Sequence, residues 1–322
     1  MTATTLVIAT YNRGPRIGAT LDSVLAQTRR PDEVVVVDDC STDGTGDWVR
    51  DHYPDVRVVR TPKNLYTSGA RNFGARAATG GVLVFLDHDD VLHPHAVETL
   101  TDLLREFPEA RAAYADHRYV NTVSGVTHPD HHTSQPAFHR MRQVRASRET
   151  AAGRLYSRPM FYALLKGNLL QQPWAVYRDT LLELGGFAED IRFCEDWDLY
   201  LRVVRSHPVA LTDAVISDHI IEGENLHLTP NQVGMYRRVL RRMMRAEPLN
   251  PRVVVPAART LAHFAKADGD AAASTGAAWR AYMRSFAYWP FDHVVAARAL
   301  VLLPLKLLTG RKPPQPSAES QT

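Results

Sequence analysis

The sequence predicts an α/β protein: a Rossmann-like, mostly parallel sheet flanked by helices, with a C-terminal helical extension. Short apolar runs rich in β-branched residues, at Thr5–Ala9, Glu33–Val37, Val56–Arg60 and Val82–Leu86, alternate with stretches of helical periodicity, which is the pattern of strand, crossover helix, strand. Three of these runs stop abruptly at polar groups, Thr10, Asp38-Asp39 and Asp87-His88-Asp89-Asp90, so chemistry gathers at the carboxyl ends of the strands, where open α/β sheets bind ligands. From Asn231 onward the pattern turns helical and basic.

The first strand leads through Thr10-Tyr11-Asn12-Arg13 into a helix on which Ile17, Leu21, Val24 and Leu25 recur at helical spacing. The nearly pure valine second strand ends in Asp38-Asp39-Cys40-Ser41-Thr42-Asp43-Gly44, and a helix through Trp48 and Val49 follows. After the third strand come a loop, Thr61–Gly69, a helix from about Ala70 to Ala78, and the turn Gly80-Gly81 into the fourth strand. That strand has five apolar residues between glycine and charge, which is too short for a helix and reads as a buried parallel strand. Its carboxylates repel one another unless a cation neutralises them. A cap on the helix that follows is the other reading, and it suits Asp90 best.

Residues 116–159 hold five histidines (His117, His128, His131, His132, His139) without sustained periodicity, and are expected to form a long loop over the crevice. No second ligand pair or cysteine accompanies His131-His132, which argues against zinc. A strand at Ala175–Arg178, a helix at Thr180–Leu184 closed by Gly185-Gly186, and a helix opening with Glu195-Asp196 come next. This last helix sets Trp197, Leu201 and Val204 on one face. A strand, Val209–Ile216, then gives way to a polar stretch, 218–227, containing His219 and His227.

With 322 residues, 45% of them hydrophobic, the chain can bury one large core, or one core plus a smaller helical region. A net charge of +3 argues against a dedicated nucleic-acid binder. Two unrelated cysteines, Cys40 and Cys194, imply no disulfide framework. The N-terminus lacks a signal-peptide pattern, and the longest apolar segment, Ala299–Leu308, is too short to span a bilayer. A cytoplasmic location is expected.

Neither GxGxxG nor GxxxxGK[ST] is present. The strand ends instead offer groups suited to a nucleobase, a ribose and a metal-bound pyrophosphate: Thr10 and Asp39 as hydrogen-bonding partners, Arg71 as a forked cation, and Asp87 and Asp89 as metal ligands. Asp38 or Asp39 could equally order the following turn, and Arg71 could lie on a helix surface.

The blocks ATYNR at 9–13, VVVDDCSTDGT at 35–45, SGARNFGARAATG at 68–80, LDHDD at 86–90 and CEDWDLYLR at 194–202 together resemble the family 2 glycosyltransferases, inverting enzymes of GT-A fold. The resemblance covers roughly residues 4–230. It implies a nucleoside diphosphate sugar donor, a UDP-sugar by the family's habit, with Mn²⁺ or Mg²⁺ on the diphosphate. It places Thr10 and Tyr11 along the nucleoside, Asp39 at the base and Arg71 beside it. Asp87-His88-Asp89 matches the DxD motif, with Asp89 as the direct metal ligand and Asp87 reaching the ribose or a metal-bound water; His88 fills the middle position. Asp196 matches the general base, with Glu195 orienting it or touching the acceptor, and His219 or His227 could close over the diphosphate.

The expected organisation is a catalytic domain, 1–230, with a nucleotide-sugar half (1–115) and an acceptor half (116–230), then a helical region (231–310) and a disordered tail (311–322). The QxxRW signature of processive synthases is absent, which favours transfer of a single sugar to a saccharide, lipid-linked or small-molecule acceptor. The basic C-terminal helices suit packing on the catalytic domain or on a second copy of the chain. A peripheral contact at the inner face of the membrane is the other reading. A sugar nucleotidyltransferase and a non-catalytic nucleotide-sugar-binding module are the competing classes. The first would need a glycine- and arginine-rich loop where Thr10–Arg13 stands, and the second has no use for a second carboxylate pair.

Overall fold

The computed structural model describes residues 2–128, 144–165, 170, 172–221, 230–254, 256–258 and 261. In chain order the elements are β1 (Thr4–Thr10), a 3-10 turn (Gly14–Ile17), α1 (Gly18–Leu25), β2 (Glu33–Asp38), α2 (Thr45–His52), β3 (Arg57–Arg60), α3 (Tyr66–Ala77), β4 (Val82–Asp87), β5 (Val91–Leu92) and α4 (Ala96–Glu106). Then come β6 (Ala112–Asn121), β7 (Thr127–His128), β8 (Arg148–Glu149), β9 (Arg154–Tyr156), α5 (Arg158–Leu164), β10 (Trp174–Tyr177), α6 (Arg178–Glu183), α7 (Glu195–Ser206), β11 (Val209–Ile221) and α8 (Pro230–Ala246).

One sheet holds the strands in the order β3-β2-β1-β4-β10-β6-β11-β9-β8, with β5 on β11 and β7 on β6. Strands β3, β2, β1 and β4 are parallel, the Rossmann-like half. Strand β10 runs antiparallel between β4 and β6, and β11 lies parallel to β6. The carboxyl ends of β1, β2, β4, β6 and β11 therefore share one edge, and reversed β10 begins at it.

Alternation assigns the faces. Leu6, Ile8, Val34, Val36, Val84 and Leu86 face α1, α2 and α4 in a continuous apolar core. Val7 and Val37 face α3, which approaches so closely that a Cβ at Gly74 would meet them at 2.5 and 2.8 Å. Farther along that face an aromatic layer takes over: Trp174 stacks on Phe85 and Tyr114, and Tyr200 of α7 meets both Trp174 and Tyr114 edge-on. Trp197, Leu201 and Val204 are buried along α7, as their spacing predicts.

Three segments differ from the sequence-based expectation. Helix α3 starts at Tyr66, not near Ala70, because Asp39 and Asn64 accept the N–H groups of Leu65 and Tyr66 and fix its first turn. Residues 116–121 extend β6, and 148–156 form the β8–β9 hairpin; of the expected long loop, 129–143 lie outside the described residues. Residues 218–221 continue β11, since Asp218 to Ile221 pair with Arg118 to Asn121.

The chain divides into two compact units, Met1–Met235 and Tyr236–Thr322. In the second, Val239, Leu240 and Met243 are buried, while Arg238, Arg241 and Arg245 are exposed. No helix among the described residues is long and apolar enough to cross a membrane. The expected tail, 311–322, lies outside the described residues.

Candidate active site

The loops after β1 and β2 are stitched together. Asn12, at φ 52°, donates its N–H to Ser41 Oγ at 3.0 Å and accepts the Thr42 N–H at 2.8 Å. Asp38 accepts the Ser41 N–H and the Arg60 guanidinium, which accounts for it as the turn-ordering carboxylate. Asp39 accepts the Thr61 hydroxyl at 2.8 Å and the Leu65 N–H at 2.9 Å, so it ties β2 to the start of α3. At the end of β1 the Thr10 hydroxyl is buried with no hydrogen-bond partner among the described residues, and the Tyr11 ring is half exposed.

Arg71 is 4% exposed and spans the floor of the crevice. One Nη donates to Asp87 at 2.5 Å and the other to Glu195 at 2.8 Å. The guanidinium also lies 5.3 Å from the Phe187 ring centre. Arg71 thus serves these carboxylates and not Asp39, which accepts from Thr61 and Leu65. Gln172, just before β10, completes the arrangement: with its amide oxygen turned inward it accepts from Arg71. Burial pushes the Glu195 carboxyl up to about 7; Arg71 opposes the rise and neighbouring Asp196 adds to it. Burial opposes ionisation of Asp87, but the charge and hydrogen bond of Arg71, together with His88 and His219, hold its carboxyl below the ordinary range.

Asp196 lies in the first turn of α7, its Oδ1 accepting the Trp197 N–H at 2.7 Å. Unpaired N–H groups at a helix start favour an ionised carboxylate. The segment leading into α7 is latched to α3: the Asn72 amide donates to the Phe187 carbonyl at 2.9 Å and accepts its N–H at 2.8 Å, and the Ser68 hydroxyl donates to the Ile191 carbonyl at 3.0 Å. Helix α3 therefore positions both Arg71 and the Glu195-Asp196 pair.

Beyond Asp87 the chain turns. His88 points away from the opening, its Nδ1 3.0 Å from the Ala9 carbonyl and its Nε2 accepting from Arg13 at 2.6 Å. The side chain of Asp89 is 44% exposed and meets Arg13 at 3.2 Å. Asp90 does not cap the next helix, whose N-cap is His95. It is buried, 3.3 Å from His219, and burial together with Asp87 and Asp89 raises its carboxyl well above the usual range. His219 also reaches the Gln172 carbonyl and stacks on His117 at 4.0 Å, so its ring is engaged by the protein. His227 lies outside the described residues.

A divalent cation fits this edge in one way. No group of three or more His, Cys, Asp or Glu side chains stands together among the described residues, so there is no self-sufficient cage. Asp87 and Asp89 supply hard oxygen donors at the crevice, and Mg²⁺-type ions bind through one or two carboxylates completed by substrate phosphates and water. The donor set suits a metal that arrives with a diphosphate.

Gln172, Asn72 and Arg13 were given no role by their sequence context, and Asp90 only that of a helix cap. Only Arg13 had a local signal, as the cation closing the ATYNR block next to the DHD turn.

The crevice thus carries carboxylates on two elements, the end of β4 and the start of α7, joined by the buried Arg71 guanidinium. The sequence model of the family described as Glycosyl transferase family 2 matches residues 5–165, half of the chain. The chain belongs to this family. An uncharacterised glycosyltransferase of Haemophilus influenzae is 26% identical over 200 residues, covering 62% of this chain and 61% of its own length. The chondroitin synthase of Escherichia coli is 28% identical over 223 residues, 68% of this chain but 29% of that protein. The chain thus spans less than two thirds of either relative. Among solved structures, S. aureus TarS 1–349 in complex with UDP-GlcNAc superposes with a TM-score of 0.65 at 19% identity, covering 93% of this chain and 89% of that one. That likeness establishes the GT-A fold.

Proposed function

We propose that the protein is an inverting glycosyltransferase that moves one sugar from a UDP-sugar to a hydroxyl acceptor. The observation that carries this reading is the Asp87–Arg71–Glu195 bridge, which joins the end of β4 to the start of α7 and so brings the donor-binding carboxylates and the Glu195-Asp196 pair to one crevice. The family and the UDP-GlcNAc complex of TarS support a nucleotide-sugar donor.

In this reading Thr10, Tyr11 and Asp39 border the nucleoside. Asp89, with Asp87, would hold Mn²⁺ or Mg²⁺, which when bound offsets charge on the leaving diphosphate. Asp196 takes the proton of the acceptor hydroxyl as its oxygen bonds to the anomeric carbon; the bond from that carbon to the diphosphate oxygen breaks, and UDP leaves with the electron pair. Glu195, shared with Arg71, holds the start of α7 in place. The acceptor is a saccharide, lipid-linked or small-molecule hydroxyl, engaged without nucleic acid.

Incubating the protein with a panel of UDP-sugars and Mn²⁺ tests the reading. Slow release of UDP and free sugar is expected. Pyrophosphate release would replace it with a nucleotidyltransferase, and binding without turnover with a passive module.

A further inference from the structure

Arg13 has no part in the chemistry just described, yet it occupies the aspartate that would receive the metal. Its Nη2 lies 3.2 Å from Asp89 Oδ2, and its Nε donates to His88 Nε2 at 2.6 Å. The imidazole is fixed from behind: its Nδ1 lies 3.0 Å from the Ala9 carbonyl, which needs a proton on Nδ1 and leaves the Nε2 lone pair facing Arg13. The backbone is fixed as well, the Arg13 N–H donating to Thr45 Oγ1 at 3.0 Å. The Arg13 and Asp89 side chains are 29% and 44% exposed, so their ion pair is of the weak, easily exchanged kind. Arg71 differs: buried and committed to Asp87 and Glu195, it cannot turn to a ligand without stranding them.

We propose, resting on the nucleotide-sugar reading of the crevice, that Arg13 is a donor-binding residue held ready by His88: it neutralises Asp89 while no divalent ion is present, and turns its Nη groups to the diphosphate when one is. The middle residue of the Asp87-His88-Asp89 turn is then an anchor for this cation. The arrangement makes Arg13 a competitor of the metal for Asp89 and an ally of the diphosphate. Removing its charge must therefore shift the two affinities in opposite directions, which damage to the loop would not do.

Titration calorimetry on the full chain, with MnCl₂ alone and separately with UDP in EDTA, reads both. For Arg13→Gln, Mn²⁺ binding tightens about fivefold and UDP binding weakens about fivefold, the size of one unit charge acting across roughly 4 Å in a water-like dielectric. Arg13→Lys keeps UDP binding within about twofold of wild type, because a point charge serves a phosphate. Weakening of both ligands by Arg13→Gln, or no change in either, overturns the proposal and leaves Arg13 as a loop pin. A wild type that binds no UDP with or without Mn²⁺ overturns the nucleotide-sugar reading and with it the diphosphate half. The MnCl₂ titration still decides whether Arg13 competes for Asp89.

Discussion

The two edges of the sheet treat a glutamate in opposite ways. At the amino-terminal edge Glu33, the first residue of β2, accepts from the Thr5 hydroxyl at 2.7 Å, the Thr79 N–H and hydroxyl at 2.8 and 2.9 Å, and Arg57 at 2.9 Å. Burial opposes its ionisation, but these donors outweigh it and hold the carboxyl down at about 2. At the carboxyl-terminal edge Glu195 shares its guanidinium with Asp87 and stands beside Asp196, and burial pushes it up to about 7 despite Arg71. Asp90 is raised there too. One edge has more donors than charge and is stable as it stands. The other has more charge than donors, a condition that a cation arriving with a ligand relieves.

Acting on the crevice edge alone should give the largest effect. Asp196→Asn removes the proposed base and leaves the proposed donor-binding groups in place, so the transfer rate at saturating donor should fall about 10³-fold, with UDP-sugar affinity kept within about twofold. Asp89→Ala should do the reverse, abolishing the Mn²⁺-dependent part of donor binding measured by calorimetry. Near-normal transfer by Asp196→Asn would refute the base assignment.

Arginine replacements sharpen the contrast. Arg71→Met strands Asp87 and Glu195 together and should cost about 3–5 kcal/mol in urea denaturation. Arg71→Lys should not restore it, since an ammonium lacks the fork that reaches both carboxylates. Arg57→Met at the opposite edge removes a half-exposed partner from a glutamate that keeps three other hydrogen bonds, and should cost about 1 kcal/mol or less.

The parallel half of the fold was legible because doubly buried strands read as unbroken apolar runs, and Val34–Val37 and Val82–Leu86 are such runs. The reversal of β10 was not. Trp174-Ala175-Val176-Tyr177 carries no mark of direction, which is set by pairing with β4 and β6. The start of α3 was hidden because Ser68-Gly69 is a poor helix opening, and what fixes it, Asp39, lies on another strand. At the site, residue types at strand ends pointed to the proposed chemistry, but the partners of those residues could not be read. Gln172 meets Arg71 only through the position of β10, and His219 meets Asp90 only because β11 continues beside β6 past Ile216.

The pH dependence of stability tests the edges most directly, because the two glutamates must act with opposite sign. Glu33 has a folded value of about 2 against 4.5 unfolded, so the unfolded chain binds the proton more tightly. Its contribution is full above pH 4.5 and is lost as the pH falls towards 2, and Glu33→Gln should flatten that acid limb. Glu195, raised from 4.5 to about 7, binds its proton more tightly when folded. Its contribution is full below pH 4.5 and declines as the pH rises towards 7, so Glu195→Gln should make stability less dependent on pH across that window. Urea midpoints taken in EDTA through both windows read the two slopes. If Glu195→Gln left the slope between pH 4.5 and 7 unchanged, Glu195 would already be ionised there; Arg71 would then outweigh burial at the crevice as the donors around Glu33 do at the far edge, and the asymmetry would lie in geometry alone.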